Sequence, residues 1–189
     1  MVKSATIGVL ALQGGVREHC DLLEDLGARV TLVRQLGDLI GPDGPRVDAL
    51  VLPGGESSTI DKLLRIFDLF DVLRETIVGG LPTLGTCAGL VLLAHEVLDP
   101  APGQRSLKAL DVTVRRNAFG PQVDSACTSL ATTLGRLQVA FIRAPVVTRL
   151  GAGVEVLGLH AGKVVGVRQG AVTGISFHPE LTGETAFHR

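Results

Sequence analysis

One peptide, Gly85-Thr86-Cys87-Ala88-Gly89, places a thiol between two glycines where an apolar run gives way to a helical pattern. This spacing has the form of a nucleophile elbow with Cys in place of Ser. Its glycines permit the sharp turn and let strand and helix approach closely. A Cys at the start of a helix gains from the positive end of the helix dipole, which favours thiolate. The N–H groups beside it point toward any oxyanion that its attack creates. Such a nucleophile needs a base, and the base needs an orienting group. Of the five histidines (His19, His95, His160, His178 and His188), His178 follows an apolar run ending at Phe177 and precedes Pro179, which biases it to an extended conformation. Glu180, two residues on, emerges on the same side as the imidazole. Together they form a candidate triad in which Glu180 holds one ring nitrogen of His178 while the other faces Cys87. The order Cys, His, Glu differs from the nucleophile, acid, His order of α/β hydrolases and argues against that fold. Cys20 and Cys127 lack an elbow and read as small apolar residues.

A third peptide, Pro53-Gly54-Gly55-Glu56-Ser57, lacks the Lys-Ser/Thr pair of a phosphate loop, so a nucleotide site is excluded. Tandem glycines beside a carboxylate offer a backbone donor and an anchor for an amino group, and Ser57 or Ser58 is placed to cap the helix that follows. With Gln13-Gly14, four unusual peptides fall at expected strand ends, where open α/β sheets bind their ligands.

The elements that must gather them follow from the hydrophobic pattern. Residues 5–12 are a continuous apolar run, typical of a strand buried on both faces of a parallel sheet. Further strands are expected at 29–33, 47–52 and 81–84, with helices at 16–26, 57–67, 69–78 and 88–97 and a loop at 41–45. This alternation indicates a single-domain (1–189) α/β protein with an open, mixed, mostly parallel sheet flanked by helices. Beyond Pro100, strands at 107–115, 137–143, 154–159, 163–168 and 171–177 with short turns suggest antiparallel additions.

The 189 residues suit one domain that buries about 70% of its unfolded surface without staples. Eighteen Lys and Arg against nineteen Asp and Glu leave a net charge of -1, with no bulk attraction to nucleic acid or anionic membrane. Aromatics are 3%, with no Trp or Tyr, which removes the stacking platforms of single-strand binders. Apolar stretches such as 7–12 and 89–94 are too short to cross a bilayer. The first residues lack the long apolar region and cleavage site of a signal peptide. Three scattered cysteines without a CxxC pair argue against a disulfide framework or a zinc site, so a cytoplasmic setting with no metal is expected.

Six peptides in one order resemble the class I (triad) glutamine amidotransferases, and among them the glutaminase subunits of pyridoxal 5'-phosphate synthase. They are Gly8-Val9-Leu10-Ala11-Leu12-Gln13-Gly14, Leu52-Pro53-Gly54-Gly55-Glu56-Ser57, Gly85-Thr86-Cys87-Ala88-Gly89-Leu90, Arg116-Asn117-Ala118-Phe119-Gly120, Phe141-Ile142-Arg143-Ala144-Pro145 and Phe177-His178-Pro179-Glu180-Leu181. The resemblance spans residues 5–182 and implies a flavodoxin-like amidotransferase architecture. It also implies hydrolysis of L-glutamine through a glutamyl thioester, without a cofactor, and delivery of ammonia to a synthase barrel subunit. By position it assigns Cys87, His178 and Glu180 to the triad and the N–H groups of Gly55 and Ala88 to the oxyanion hole. Gly55, Glu56, Ser57, Arg116, Ile142 and Arg143 match glutamine-binding positions, and Gln13 matches a residue near the active site and the synthase interface. Glutamine is a zwitterion, so a cation such as Arg116 or Arg143 and an acceptor such as Glu56 suit it. Two departures stand out: Pro121-Gln122 where the family continues with Arg-Gln, and Gly183 where an acidic residue is common. The glutaminase of another pathway, such as imidazole glycerol phosphate synthase, and a binding subunit without chemistry are the alternatives. The intact Cys, His and Glu set argues against the latter.

Overall fold

A computed structural model describes residues 4–118 and 127–189. Pro121 and Gln122 therefore lie outside the described residues. In chain order the elements are β1 (Thr6–Leu10), α1 (Val16–Asp25), β2 (Arg29–Val33), α2 (Leu36–Leu39), β3 (Ile40–Gly41), β4 (Gly44–Pro45), β5 (Ala49–Leu52), α3 (Ser57–Ile66), α4 (Phe70–Val78), β6 (Thr83–Thr86), α5 (Ala88–Leu93) and β7 (Ala94–Leu98). There follow β8 (Leu110–Arg115), β9 (Cys127–Thr132), β10 (Gly135–Ala140), β11 (Val146–Leu150), β12 (Glu155–His160), β13 (Lys163–Gln169) and β14 (Val172–Ile175).

The heart of the sheet is five parallel strands in the order β2-β1-β5-β6-β14. From β14 the sheet continues antiparallel through β13, β12, β9 and β10, and β11 branches from β13 toward β8 and β7. The mixed α/β sheet with flanking helices and antiparallel additions is thus present.

Alternate residues of the central strands feed two cores, as the two-residue period of a strand requires. Leu10, Leu50 and Leu52 pack with Ile60 and Leu64 of α3, Leu73 and Ile77 of α4, and Leu90 of α5. Val9, Val51, Leu84 and Ile175 face the other way, onto Leu23 of α1 and Leu130, Leu137 and Val139 of β9 and β10. Both faces being covered explains why these strands read as unbroken apolar runs.

Four local expectations are corrected. The helix expected over 88–97 ends at Leu93, and Ala94–Leu98 is a strand parallel to β8. Every residue of α5 is buried, and an apolar run buried all round carries no periodicity to separate helix from strand. The strand expected over 81–84 lies at Thr83–Thr86 and so leads directly into Cys87. The loop at 41–45 contains the small β3-β4 hairpin. Strands β9 and β11 were not anticipated. The cap of α3 is Glu56, whose carboxylate accepts from Ser58 N–H at 3.4 Å and Ser58 Oγ at 3.0 Å, while Ser57 Oγ instead accepts from Gln104. Gly183 has φ +68°, a left-handed position after the turn holding Glu180, where an acidic side chain would be strained.

Candidate active site

Four adjacent parallel strands, β1, β5, β6 and β14, deliver Gln13, the 53–56 loop, Cys87 and His178 from the same edge of the sheet. Thr86 ends β6 in register with Ile175 of β14, and Ile175 O accepts the Cys87 N–H at 2.8 Å. Cys87 then turns at φ +48°, ψ -100° into α5. Positive φ in a non-glycine residue costs of order 1–3 kcal/mol and is held only by its surroundings. Here the surroundings are a close approach: a side chain on Gly89 would strike the carbonyl of Leu52.

Three residues beyond Ile175, His178 N–H bonds to Ala140 O at 2.8 Å, so β10 fixes the base on the sheet. Phe177 is fully buried and meets Phe141 edge-on at 5.8 Å, which anchors the approach. His178 Nδ1 lies 2.7 Å from Glu180 Oε1, and Cys87 and the same imidazole line one cleft on either side of Gly54. The thiol's other neighbour, Ile142 O at 3.9 Å, sits at the limit for sulfur. Burial alone opposes charge on His178, but its interactions with Cys87 and Glu180 outweigh it and push the pKa up to about 10. Burial likewise opposes ionisation of Glu180. The His178 hydrogen bond and the electrostatic influence of the His19 and His178 rings overcome this and hold the carboxyl below its ordinary value. The arrangement favours a charged imidazole beside the sulfur, ready to surrender a proton to a leaving group.

The glycine loop closes over this pair. A methyl on Gly54 would enter the His178 ring and come within 3.4 Å of Cys87 Cβ. Gly54 O accepts from Gly15 N–H at 2.9 Å, and Gln13 Oε1 accepts from Glu56 N–H at 2.7 Å. The first loop therefore sets the peptides on both sides of Gly55. With Gly54 O held toward Gly15, the Gly55 N–H points the opposite way, since carbonyl and N–H of a trans peptide are opposed. Ala88, as the first residue of α5, has an N–H without an intrahelical acceptor.

A cleft of about 290 Å³ reaches from Gln13 and Glu56 past Cys87 and His178 to Ile142 and Arg143. A recess of about 30 Å³ joins Cys87 and Ala88 to Ser57, Arg116 and Arg143. All sequence-predicted site residues thus line one or other of two adjacent spaces that share Gly55, Glu56, Cys87 and Arg143. Arg116 donates to Glu56 Oε1 and to Gln104 Oε1, both at 2.8 Å, while Arg143 is exposed, at φ +43°. Three residues were missed. Asn117 (φ +48°) lines both spaces, and Asn's tolerance of the left-handed region was the available signal. Gln104 ties Arg116 to Ser57, and His19 lies beneath Glu180. Neither of these two carried a local pattern.

The chain is similar to known proteins over nearly its whole length. The model of the SNO glutamine amidotransferase family matches residues 9–189. The pyridoxal 5'-phosphate synthase subunit PdxT of Kineococcus radiotolerans is 56% identical, covering 97% of this chain and 91% of that protein. The PdxT subunit of Nocardia farcinica is 53% identical over 97% and 83% of the two chains. A crystal structure of a glutamine amidotransferase superposes with a TM-score of 0.88 at 46% identity, covering 97% and 95% of the two chains. A glutamine amidotransferase from Thermotoga maritima shares the fold at 15% identity, with a TM-score of 0.63. With the elbow, the glycine loop and the His-Pro-Glu turn meeting at one sheet edge, the chain belongs to the SNO glutamine amidotransferase family.

Proposed function

We propose that the chain is a glutaminase that hydrolyses L-glutamine to glutamate and ammonia and hands the ammonia to a synthase subunit that makes pyridoxal 5'-phosphate. The carrying observation is the 2.7 Å contact of His178 with Glu180 in the cleft that the Cys87 side chain also lines. Relatives at 50–56% identity named as PdxT subunits support the pathway over other amidotransferase routes.

In the reaction, Cys87 Sγ attacks the side-chain amide carbon, and the carbonyl π electrons move to oxygen. The N–H groups of Gly55 and Ala88 receive that oxyanion. Collapse breaks the C–N bond while His178 gives its proton to the departing nitrogen, leaving ammonia and a glutamyl thioester. Water then attacks the thioester as His178 takes its proton, the C–S bond breaks, and glutamate leaves. Glu180 keeps the imidazole in one tautomer throughout. Arg116 or Arg143 receives the substrate α-carboxylate, Glu56 its ammonium, and Ser57 and the Ile142 main chain complete the rim. Gln13, from the neighbouring loop, relates this site to the synthase surface. The chain acts as one domain over 1–189, and we place it in the cytoplasm. Among the described residues no helix is long and apolar enough to cross a membrane.

Glutamine turnover measured with and without the synthase barrel tests the reading. Turnover should rise on mixing and vanish in Cys87→Ala. Parent-rate ammonia release by that variant would overturn the triad.

A further inference from the structure

We propose that His19 is a positioning residue of the triad: its imidazole turns an N–H dipole toward Glu180, and His188 and Thr86 hold it in the tautomer that does so. The proposal rests on the glutaminase reading and adds a residue to it.

His19 sits on α1, one turn after the Gly14-Gly15 loop, and is wholly buried. Its Nε2 faces Thr86 Oγ1 at 3.1 Å and Glu180 Oε1 at 3.5 Å, and its Nδ1 faces His188 Nε2 at 2.9 Å. Three separate segments therefore converge on one ring: the residue before the nucleophile, the triad carboxylate, and residue 188. Burial disfavours charge on both histidines, and each also repels a proton on the other or on His178. His19 is lowered despite the opposing pull of Glu180 and Glu18, and His188 falls to about 4.

A neutral imidazole has one donor and one acceptor, so the chain of contacts has two possible directions. His188 Nδ1 is buried without a partner among the described residues. An orphaned N–H there is costlier than an orphaned lone pair, because buried donors are almost always paired. His188 thus carries its proton on Nε2 and donates to His19 Nδ1. That leaves the His19 proton on Nε2, between Thr86 Oγ1 and Glu180 Oε1, with a positive bond end toward the carboxylate. The opposite direction would aim a lone pair at an anion. Glu180 Oε2 is buried with no partner among the described residues. Oε1 takes the His178 hydrogen bond at 2.7 Å and faces the His19 ring nitrogen at 3.5 Å.

The test compares His19→Leu, which removes the donor, with His19→Gln, which restores a neutral donor at similar reach. Glutamine turnover is followed against pH with the synthase present. In His19→Leu, kcat should fall about tenfold with KM changed less than about twofold, and the acid limb of kcat should move to higher pH. His19→Gln should recover most of the loss. Equal losses in the two variants with an unmoved acid limb, or parent kcat in His19→Leu, would overturn the proposal. Should His19→Leu not fold, ring nitrogen NMR of the parent decides. A proton on Nε2 of His19 supports the assignment, and one on Nδ1 sinks it. That readout needs no turnover, so an inactive parent, which refutes the glutaminase reading, is told apart from a proton on Nδ1, which refutes this assignment alone.

Discussion

The side-chain oxygen of Gln13 accepts the main-chain N–H of Glu56 at 2.7 Å, binding the loop after β1 to the loop after β5 across the top of the site. Together with the bond from Gly15 N–H to Gly54 O, it fixes the peptides that flank Gly55. Gln13→Ala frees one of these peptides. We expect glutamine turnover with the synthase to drop about fivefold, the effect of one hydrogen bond of about 1 kcal/mol, with the melting temperature lowered by only about 2–4 °C. Full turnover in this variant would show that the loop is held by other means.

Gly54 has no room for a side chain between His178 and Cys87. Gly54→Ala should displace the imidazole by a fraction of an ångström to an ångström and lower kcat by about 100-fold. Labelling of Cys87 by a glutamine-mimicking electrophile should slow in parallel. Normal labelling with lost turnover would place the defect elsewhere.

Cys87 is held at φ +48°, a conformation glycine adopts without penalty. Cys87→Gly and Cys87→Ala should both lose all turnover. Cys87→Gly should nonetheless melt at or above Cys87→Ala, because relief of about 1–3 kcal/mol of strain offsets the entropy of glycine. A glycine variant melting well below the alanine variant would show that the backbone there is unstrained.

Arg116 spans Glu56 and Gln104 with two nitrogens, a fork that lysine cannot reproduce. Arg116→Lys should raise KM for glutamine about tenfold and leave kcat within about threefold, since the residue binds substrate without entering the bond changes. An unchanged KM would assign the carboxylate to Arg143.

Stability should respond to pH at both ends. The His178 pKa is raised from 6.5 to about 10 by its Cys87 and Glu180 partners against the opposing effect of burial. Its contribution is fully present below pH 6.5 and is lost as pH climbs through about 10. His188, lowered to about 4 chiefly by burial, behaves in the opposite sense. Its contribution is present above 6.5 and is lost as pH falls toward 4, because the unfolded chain then binds the extra proton. Thermal melts across pH should show His178→Gln flattening the alkaline slope and His188→Gln the acid slope. Slopes unaltered by these substitutions would contradict the assignments.

The triad peptides were legible because their chemistry is local. Gly85-x-Cys87-x-Gly89 and His178-Pro179-Glu180 each state their turn, and the unbroken apolar run at 5–12 states a strand covered on both faces. The end of α5 was not legible, since an apolar stretch buried on all sides looks alike as helix or strand until its neighbours are known. Nor was the capping role of Glu56, where two adjacent serines offered the more usual acceptors to the eye.

What the residues determined by themselves was the nucleophile, its base and its orienting acid, together with the parallel strands that carry them. What only the tertiary structure decided was the company they keep: Gln104 behind Arg116, Gln13 against Glu56, and His19 beneath Glu180. The partners of each of those pairs lie 12, 43 and 161 positions apart in the chain. Their meeting follows from strand order and sheet register, which arise from packing the whole core and leave no mark on the spacing of nearby residues.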